Sequence, residues 1–361
     1  MRLRLDAINP FIRPNRAAAG TTSPSLAPLA LLVLAVVAFR MFFASSAEVS
    51  LGTTVGIYTV LALGLSVVAS FGGQLSLAQG AFGAIAGYTF AILTVRYRWP
   101  SPAAITLGLV LTTAVAWALG HFLQRLRAFY MAMGTLAFAE IVTVLITSQT
   151  SLTGGFSGIP GVPLWRIGDV DISSLRNLYW VVWAVAALSM LAALLVLRSR
   201  AGRELNALKT DPLAASLLGH DPAYWKRGAF ALSGVYGGVG GVLLAVSTTA
   251  VTPDLYSNDL GILLFVMLVV GGWYSLWGAP LGALVVTGLP IWLQAYQGYA
   301  DLIYTLLVLL VLVVLPRGVA GLAADVVQAA RQLLPARSNA WQPSSAGAVE
   351  AEPEPMAGTT R

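Results

Sequence analysis

Cysteine is absent from the 361 residues, and only two histidines and two lysines occur. Without cysteine there is no disulfide framework, no thiolate nucleophile and no cysteine-type metal site. His121 and His220 stand far apart, so no metal cluster is legible and no metal ligand is assigned. Lys209 and Lys226 lie in no G-x4-G-K-[ST] phosphate loop, so ATP hydrolysis is not expected of this chain. Charge is scarce too. Asp, Glu, Lys and Arg make up 10% of the chain against 57% hydrophobic residues, which excludes an ordinary soluble globular domain. The apolar runs carry no Ser/His or Asp/Asp constellation, so no catalytic residue is expected.

Long apolar runs take the place of what is missing. A helix needs about 20 residues to cross a bilayer. Such runs recur at Leu26–Ala44, Val49–Ser70, Leu75–Val95, Pro102–Leu123 and Tyr130–Ser148, then at Leu178–Leu197, Gly228–Ser247, Leu260–Val270, Leu276–Ala295 and Leu302–Leu315. The expectation is an all-α polytopic membrane protein with about ten spans over residues 26–316. A transmembrane barrel needs alternating strands of roughly ten residues, and continuous blocks of Leu, Val and Ala are the opposite pattern. "ASSA" at Ala44 to Ala47 imitates a signal-peptide cleavage site, but the basic segment before the first run is too long for one and nine more runs follow.

Charge gives an orientation. With a cytoplasmic N-terminus, 16 of the 21 Lys and Arg residues fall before Leu26, at His121–Phe129, at Arg198–Arg227 or after Pro316. Positive residues stay on the side where insertion leaves them, so both termini are expected to be cytoplasmic. The net charge of +6 is therefore topological and not a nucleic-acid footprint. Residues 1–25 read as a basic cytoplasmic segment. Residues 317–361 read as a cytoplasmic tail, a short surface helix followed by a disordered stretch rich in Pro, Ser and Glu.

One pattern occurs twice. "GGQLSLAQGAFGA" from Gly72 and "GGWYSLWGAPLGA" from Gly271 share G-G-x-x-S-L-x5-G-A at a constant offset of 199 residues, and internal repeats of this kind mark transporters. Adjacent glycines unwind a helix cheaply, and unwound backbone inside a membrane survives only beside protein or a watery cavity. The helix restarting at Gln74 is expected to aim free N–H groups and a positive dipole end at that cavity. Gly72, Gly73, Gln74, Ser76, Gly271, Gly272 and Ser275 are thus candidate pathway residues. The plainer alternative makes them tight cytoplasmic hairpins, with Gly80, Gly83, Gly87 and Gly282 allowing close helix packing. Glu140, about 15 Å along its helix from Tyr130, is a carboxylate near the midplane and a further pathway candidate, with a purely structural role as the alternative.

Between spans, Arg198–Arg227 carries an amphipathic stripe of Leu205, Leu208, Leu213, Leu217 and Leu218, with Gly219 as a helix stop. A surface helix against the bilayer is one account of it and docking on a partner protein is another.

Six stretches, in order, give the chain a resemblance. "GGQLSLAQGAFGAIAGY", "YMAMGTLAFAEIV", "LTGGFSGIPGVP", "GRELNALKTDPLAASLLG", "VVGGWYSLWGAPLGA" and "LPRGVAGL" make it similar to the permease subunits of bacterial branched-chain amino acid ABC transporters of the LivM type, whose relatives handle urea and short amides. The resemblance implies an importer permease of the inner membrane that does no chemistry itself. It works with a second homologous permease, two ATPase subunits that use ATP and Mg, and an extracytoplasmic binding protein. Gly202, Arg203, Leu208, Asp211, Ala214, Ala215, Leu218 and Gly219 would form the coupling helix on the ATPase. Thr153, Gly154, Gly155 and Gly158 would lie in the loop that receives the binding protein. This chain departs from the family at Asp211, Pro212 and Ser216, which replace the usual acidic pair, and at Trp273 and Tyr274, where smaller residues are common. A stand-alone channel or ion-coupled carrier is the competing class.

Overall fold

The computed structural model describes residues 32–33, 36–37, 45–124, 126, 128–163, 166–167, 170–171, 174–210, 216–217, 221–273, 275–293, 305–306, 309–310 and 318–322. All of them belong to one compact unit, Met1–Ala323. The architecture is a bundle of helices: α1 (Ser46–Ser66), α2 (Gln79–Ala91), α3 (Ser101–Leu123), α4 (Ala128–Ser148), α5 (Leu175–Arg198), α6 (Arg200–Thr210), α7 (Pro222–Thr248), α8 (Asn258–Gly271) and α9 (Gly278–Leu293). Two-residue strands complete it: β1 (Ile159–Pro160) pairs antiparallel with β4 (Ala250–Val251), and β2 (Arg166–Ile167) with β3 (Val170–Asp171).

Six described helical segments are long and apolar enough to cross a membrane: Ser46–Ser70, Ser101–Leu123, Phe129–Ser148, Leu175–Arg198, Pro222–Thr248 and Pro253–Gly271. The expected first and last spans fall almost wholly outside the described residues. Their described fragments at 32–33, 36–37, 305–306 and 309–310 are helical. The tail expected from residue 317 includes a helical turn at 318–322, and the rest of it lies outside the described residues.

Helix starts follow local chemistry. Ser45 and Glu48 close a reciprocal capping box, each side chain bonding the other's backbone N–H, so α1 begins three residues before the expected span. Asp221 caps the Ala223 N–H ahead of Pro222 and so starts α7. Threonines within the helices donate to the carbonyl four residues back, as Thr53, Thr59 and Thr112 do, which satisfies a hydroxyl without water.

At the centre stands α7, on which α1, α2 and α3 all pack. Its glycines make that possible. At Gly241 a Cβ would lie 2.2 Å from the Gly83 carbonyl oxygen and 2.4 Å from its Cα, so α7 and α2 touch backbone to backbone. Loop contacts sort to two ends. Arg227 reaches His121 at one end, and Val162 N–H donates to the Thr249 carbonyl at the other. The pairing agrees with the alternation of loops that the charge count gives.

Candidate functional site

The first glycine break is an unwound stretch that rises into the bundle. After α1 the chain widens into one π turn, Val67–Phe71, and Gly73 then takes φ 64°. Gly72 N–H donates to Val67 O and Gln74 N–H to Val68 O, which ends the helix. The chain does not restart at Gln74 as the sequence suggests. Residues 73–78 stay non-helical and α2 begins at Gln79. The reason lies in what replaces the helical bonds. Leu77 N–H donates to Thr135 Oγ1 on α4 at 2.9 Å, and Ala78 N–H bonds Ser76 Oγ at 3.4 Å. Thr135 is about 10 Å along α4 from its start, so the stretch climbs from the loop end into the interior.

Three polar side chains follow the break. Gln74, Ser76 and Gln79 are buried, as are Ser66 and Ser70 on the turns before it. Gln79, which the sequence reading passed over, is fixed: Ser233 Oγ donates to its Oε1 at 2.8 Å and its Nε2 donates to Ser233 O. Both amide atoms of Gln74 and the hydroxyls of Ser66 and Ser70 have no partner among the described residues. Buried polar atoms left so are rare in proteins.

The second break repeats the first. Gly272 has φ 125°, matching Gly73 at the offset of 199, and α9 resumes at Gly278, matching Gln79. Ser275 Oγ accepts from Trp277 N–H at 3.2 Å, which is the bond that Ser76 makes to Ala78. The repeat is therefore one of local conformation as well as letters. What surrounds it differs. A Cβ on Gly271 would lie 1.8 Å from Gly278 O, so α8 and α9 fold back tightly on each other, whereas α1 and α2 lie apart on α7. The plainer hairpin reading fits the second break better than the first. Gly318, from "LPRGVAGL", sits against it, its Cβ position 2.5 Å from Gly272 Cα.

Glu140 is not buried within the chain. It lies on the outer face of α4, about 18 Å from the helix start, and accepts a 2.6 Å hydrogen bond from Asn258 Nδ2 at the first turn of α8. The turn Pro253–Tyr256 brings α8 there. Tyr256 O–H donates to Gly241 O, and a Cβ on Gly80 would meet the carbonyls of Tyr256 and Ser257 at 3.0 and 3.1 Å. Glu140 and Asn258 thus stand beside the start of α2, while the Gly72–Gly73 turn is some turns closer to the loop end.

At that loop end, α6 docks under the first break. Lys209 Nζ donates to Ser70 O at 2.5 Å, and its Cγ lies 3.2 Å from where a Gly73 Cβ would be. Partial burial pulls the Lys209 ammonium below the usual lysine range. Leu205 is buried with Val68, Phe82, Met131 and Phe230, and Leu208 is buried as well, so this half of the amphipathic stripe packs within the chain. Leu208 and Gly202, both expected at the ATPase, are buried; Arg203 is exposed. Asp211, Ala214, Ala215, Leu218 and Gly219 lie outside the described residues. Leu217 is 81% exposed. Lys209 was the missed residue here, and its signal was its rarity.

The loop after α4 is ordered by bonds within the chain. Thr153 is buried and its hydroxyl donates to Ile146 O and Gln149 O. Gly154, Gly155 and Gly158 have positive φ, and Gly158 abuts the Val251 carbonyl beside the β1–β4 pair. Phe156, between them, is 82% exposed.

A bundle of membrane-crossing helices, one of them interrupted by a polar unwound stretch and the motif repeated later in the chain, defines an all-α polytopic permease. Residues 49–315 match the family described as "Branched-chain amino acid transport system / permease component", and the chain belongs to that family. It is 30% identical over 321 residues to the high-affinity branched-chain amino acid transport system permease protein LivM of Salmonella typhimurium, covering 82% of this chain and 75% of that one. LivM of Escherichia coli matches to the same extent. The LivH permease protein of Salmonella typhimurium is 28% identical over 290 residues, or 76% of this chain and 93% of its own. No solved structure matches the chain.

Proposed function

We propose that this chain is the translocating subunit of an ATP-binding-cassette importer carrying leucine, isoleucine or valine across the bacterial inner membrane. It works with a second, homologous permease, two ATPase subunits that consume ATP and Mg, and an extracytoplasmic substrate-binding protein. Both termini face the cytoplasm. The observation that carries the reading is the unwound stretch 73–78, held on a glycine with φ 64° and burying the polar side chains of Gln74 and Ser76, within a chain of this permease family. Unwound backbone at depth is tolerated where it lines a cavity, and Ser66, Ser70 and Gln74 offer polar atoms that no described neighbour uses.

The division of labour follows from position. The chain holds the polar lining, and α6 ties it to the cytoplasmic loop through Lys209. The ATPases grip that loop within residues 211–219, and their closure moves α6 and with it the break. The binding protein delivers substrate at the outer loop, where Phe156 projects from a rigid glycine frame.

Burying a leucine side chain contributes about 1.5–3 kcal/mol, so Leu217→Asp should cut ATPase docking and leucine uptake roughly tenfold or more while the permease level is unchanged. Radiolabelled leucine uptake by cells lacking the chain, restored by the wild type and not by Leu217→Asp, checks this. Leucine uptake that persists without the chain removes the substrate assignment, and full restoration by the variant removes Leu217 from the ATPase contact.

A further inference from the structure

We infer that the crevice between the last turns of α3 and the first turns of α7 holds the headgroup of an anionic phospholipid, with the Arg227 guanidinium on its phosphate and the Trp117 ring beside it. The inference uses the membrane-crossing bundle and does not depend on what the chain transports.

Close packing builds the crevice. A Cβ on Gly120 would lie 2.9 Å from Phe230 Cβ and 3.3 Å from Arg227 Cα, so α3 and α7 touch there. Arg227 lies over α3 from that contact. Its guanidinium carbon stands 5.8 Å from the centre of the Trp117 ring, Trp117 stacks with His121 at 6.1 Å, and Arg227 Nη1 reaches His121 Nδ1 at 3.4 Å. Arg227 Nε donates to Ala223 O at 3.0 Å, which fixes the stem of the side chain. These bonds leave most of the guanidinium's N–H donors to an outside acceptor. The aromatic face holds the cation in place for it.

No carboxylate neutralises Arg227 among the described residues. The ion pair found there joins Arg200 to Glu204, and Asp221, the acid nearest Arg227 in sequence, turns Oδ1 to the Ala223 N–H. Lys226 adjoins Arg227, and the segment after α3 adds Arg125 and Arg127 in sequence. Basic crevices between membrane helices bind anionic headgroups. The surroundings favour a lipid over a soluble anion. Trp117 is half exposed and Phe122 and Tyr224 are exposed, aromatic side chains of the kind that sit at the bilayer interface. Leu107, Val110 and Leu111, also exposed, continue the Trp117 face of α3 at helical spacing. Acyl chains attached to a headgroup at Arg227 would lie along them.

Native mass spectrometry of the full chain in detergent, titrated with phosphatidylglycerol or phosphatidylcholine, reads the site. The wild type is expected to hold phosphatidylglycerol roughly tenfold more tightly than phosphatidylcholine. Arg227→Gln should lower that affinity about tenfold, the loss of one charge-assisted contact, and Arg227→Lys should keep part of it. His121→Glu sets a carboxylate beside the guanidinium from an exposed helix position, which leaves the fold intact, and should weaken phosphatidylglycerol to the same extent. Arg200→Gln, which removes an exposed cation from α6, is the control that should change nothing. Equal affinity for the two lipids, full affinity in His121→Glu, or an equal loss from Arg200→Gln overturns the inference. Displacement of the lipid by inorganic phosphate makes the crevice a site for soluble anions and overturns it too. The chain has no cysteine, so Phe122→Cys can be labelled with a maleimide photo-cross-linker in native membranes. A lipid adduct is expected, and a protein product in its place shows that a subunit covers the crevice and overturns the inference.

Discussion

Gly73→Leu is expected to reach the membrane in normal amounts and to transport nothing. Gly73 sits at φ 64°, where a residue with a Cβ pays about 1–2 kcal/mol. That strain is local and leaves the bundle standing, because Gly73 is exposed and outside the packed core. The loss of function comes from the side chain, which must displace Lys209, whose Cγ lies 3.2 Å from the Cβ position and whose Nζ holds Ser70 O. The leucine thus separates α6 from the break it supports. Gly73→Ala carries the same backbone strain with little bulk and should retain part of the uptake. Radiolabelled leucine uptake normalised to membrane-inserted protein reads the difference. Normal uptake by Gly73→Leu shows the break to be a simple hairpin with no part in transport.

Gly241→Leu is expected to do the reverse, removing the protein before function can be asked about. Here the obstacle is backbone on both sides, at 2.2 and 2.4 Å, so no side chain can swing away. Helices α7 and α2 must part, and α7 also carries α1 and α3. Overpacking a tight core costs about 1–3 kcal/mol and at times more. The variant should fail to accumulate, or melt well below the wild type in detergent, with Gly241→Ala between the two. A melting temperature equal to the wild type's contradicts this account of the α7–α2 contact.

Much of this was legible in the letters. Hydropathy located the spans that the described residues contain, because a membrane forces apolar residues into long blocks whatever the tertiary contacts. The doubled glycine pattern located both breaks, because a positive φ demands glycine at Gly73 and Gly272. Where the helix resumes was not legible. Ser76 and Leu77 look ready to be helical, and the Thr135 hydroxyl, 58 residues away, takes the Leu77 N–H that a helix would use. What covers the amphipathic stripe of α6 was hidden for a related reason. Periodicity reveals that a face is covered but not by what, and Leu205 and Leu208 are both buried within this chain. Which way Glu140 faces was not legible, since the rotation of α4 about its axis is set by packing alone.

The central claim is that this chain is a passive gate moved by a separate ATPase. Reconstitution into liposomes tests it most directly, with radiolabelled leucine uptake measured for the chain and its permease partner, first alone and then with the ATPases, binding protein and ATP. The account predicts uptake only in the complete system, lost again when ATP is replaced by a non-hydrolysable analogue. Full-rate uptake by the permeases alone contradicts it.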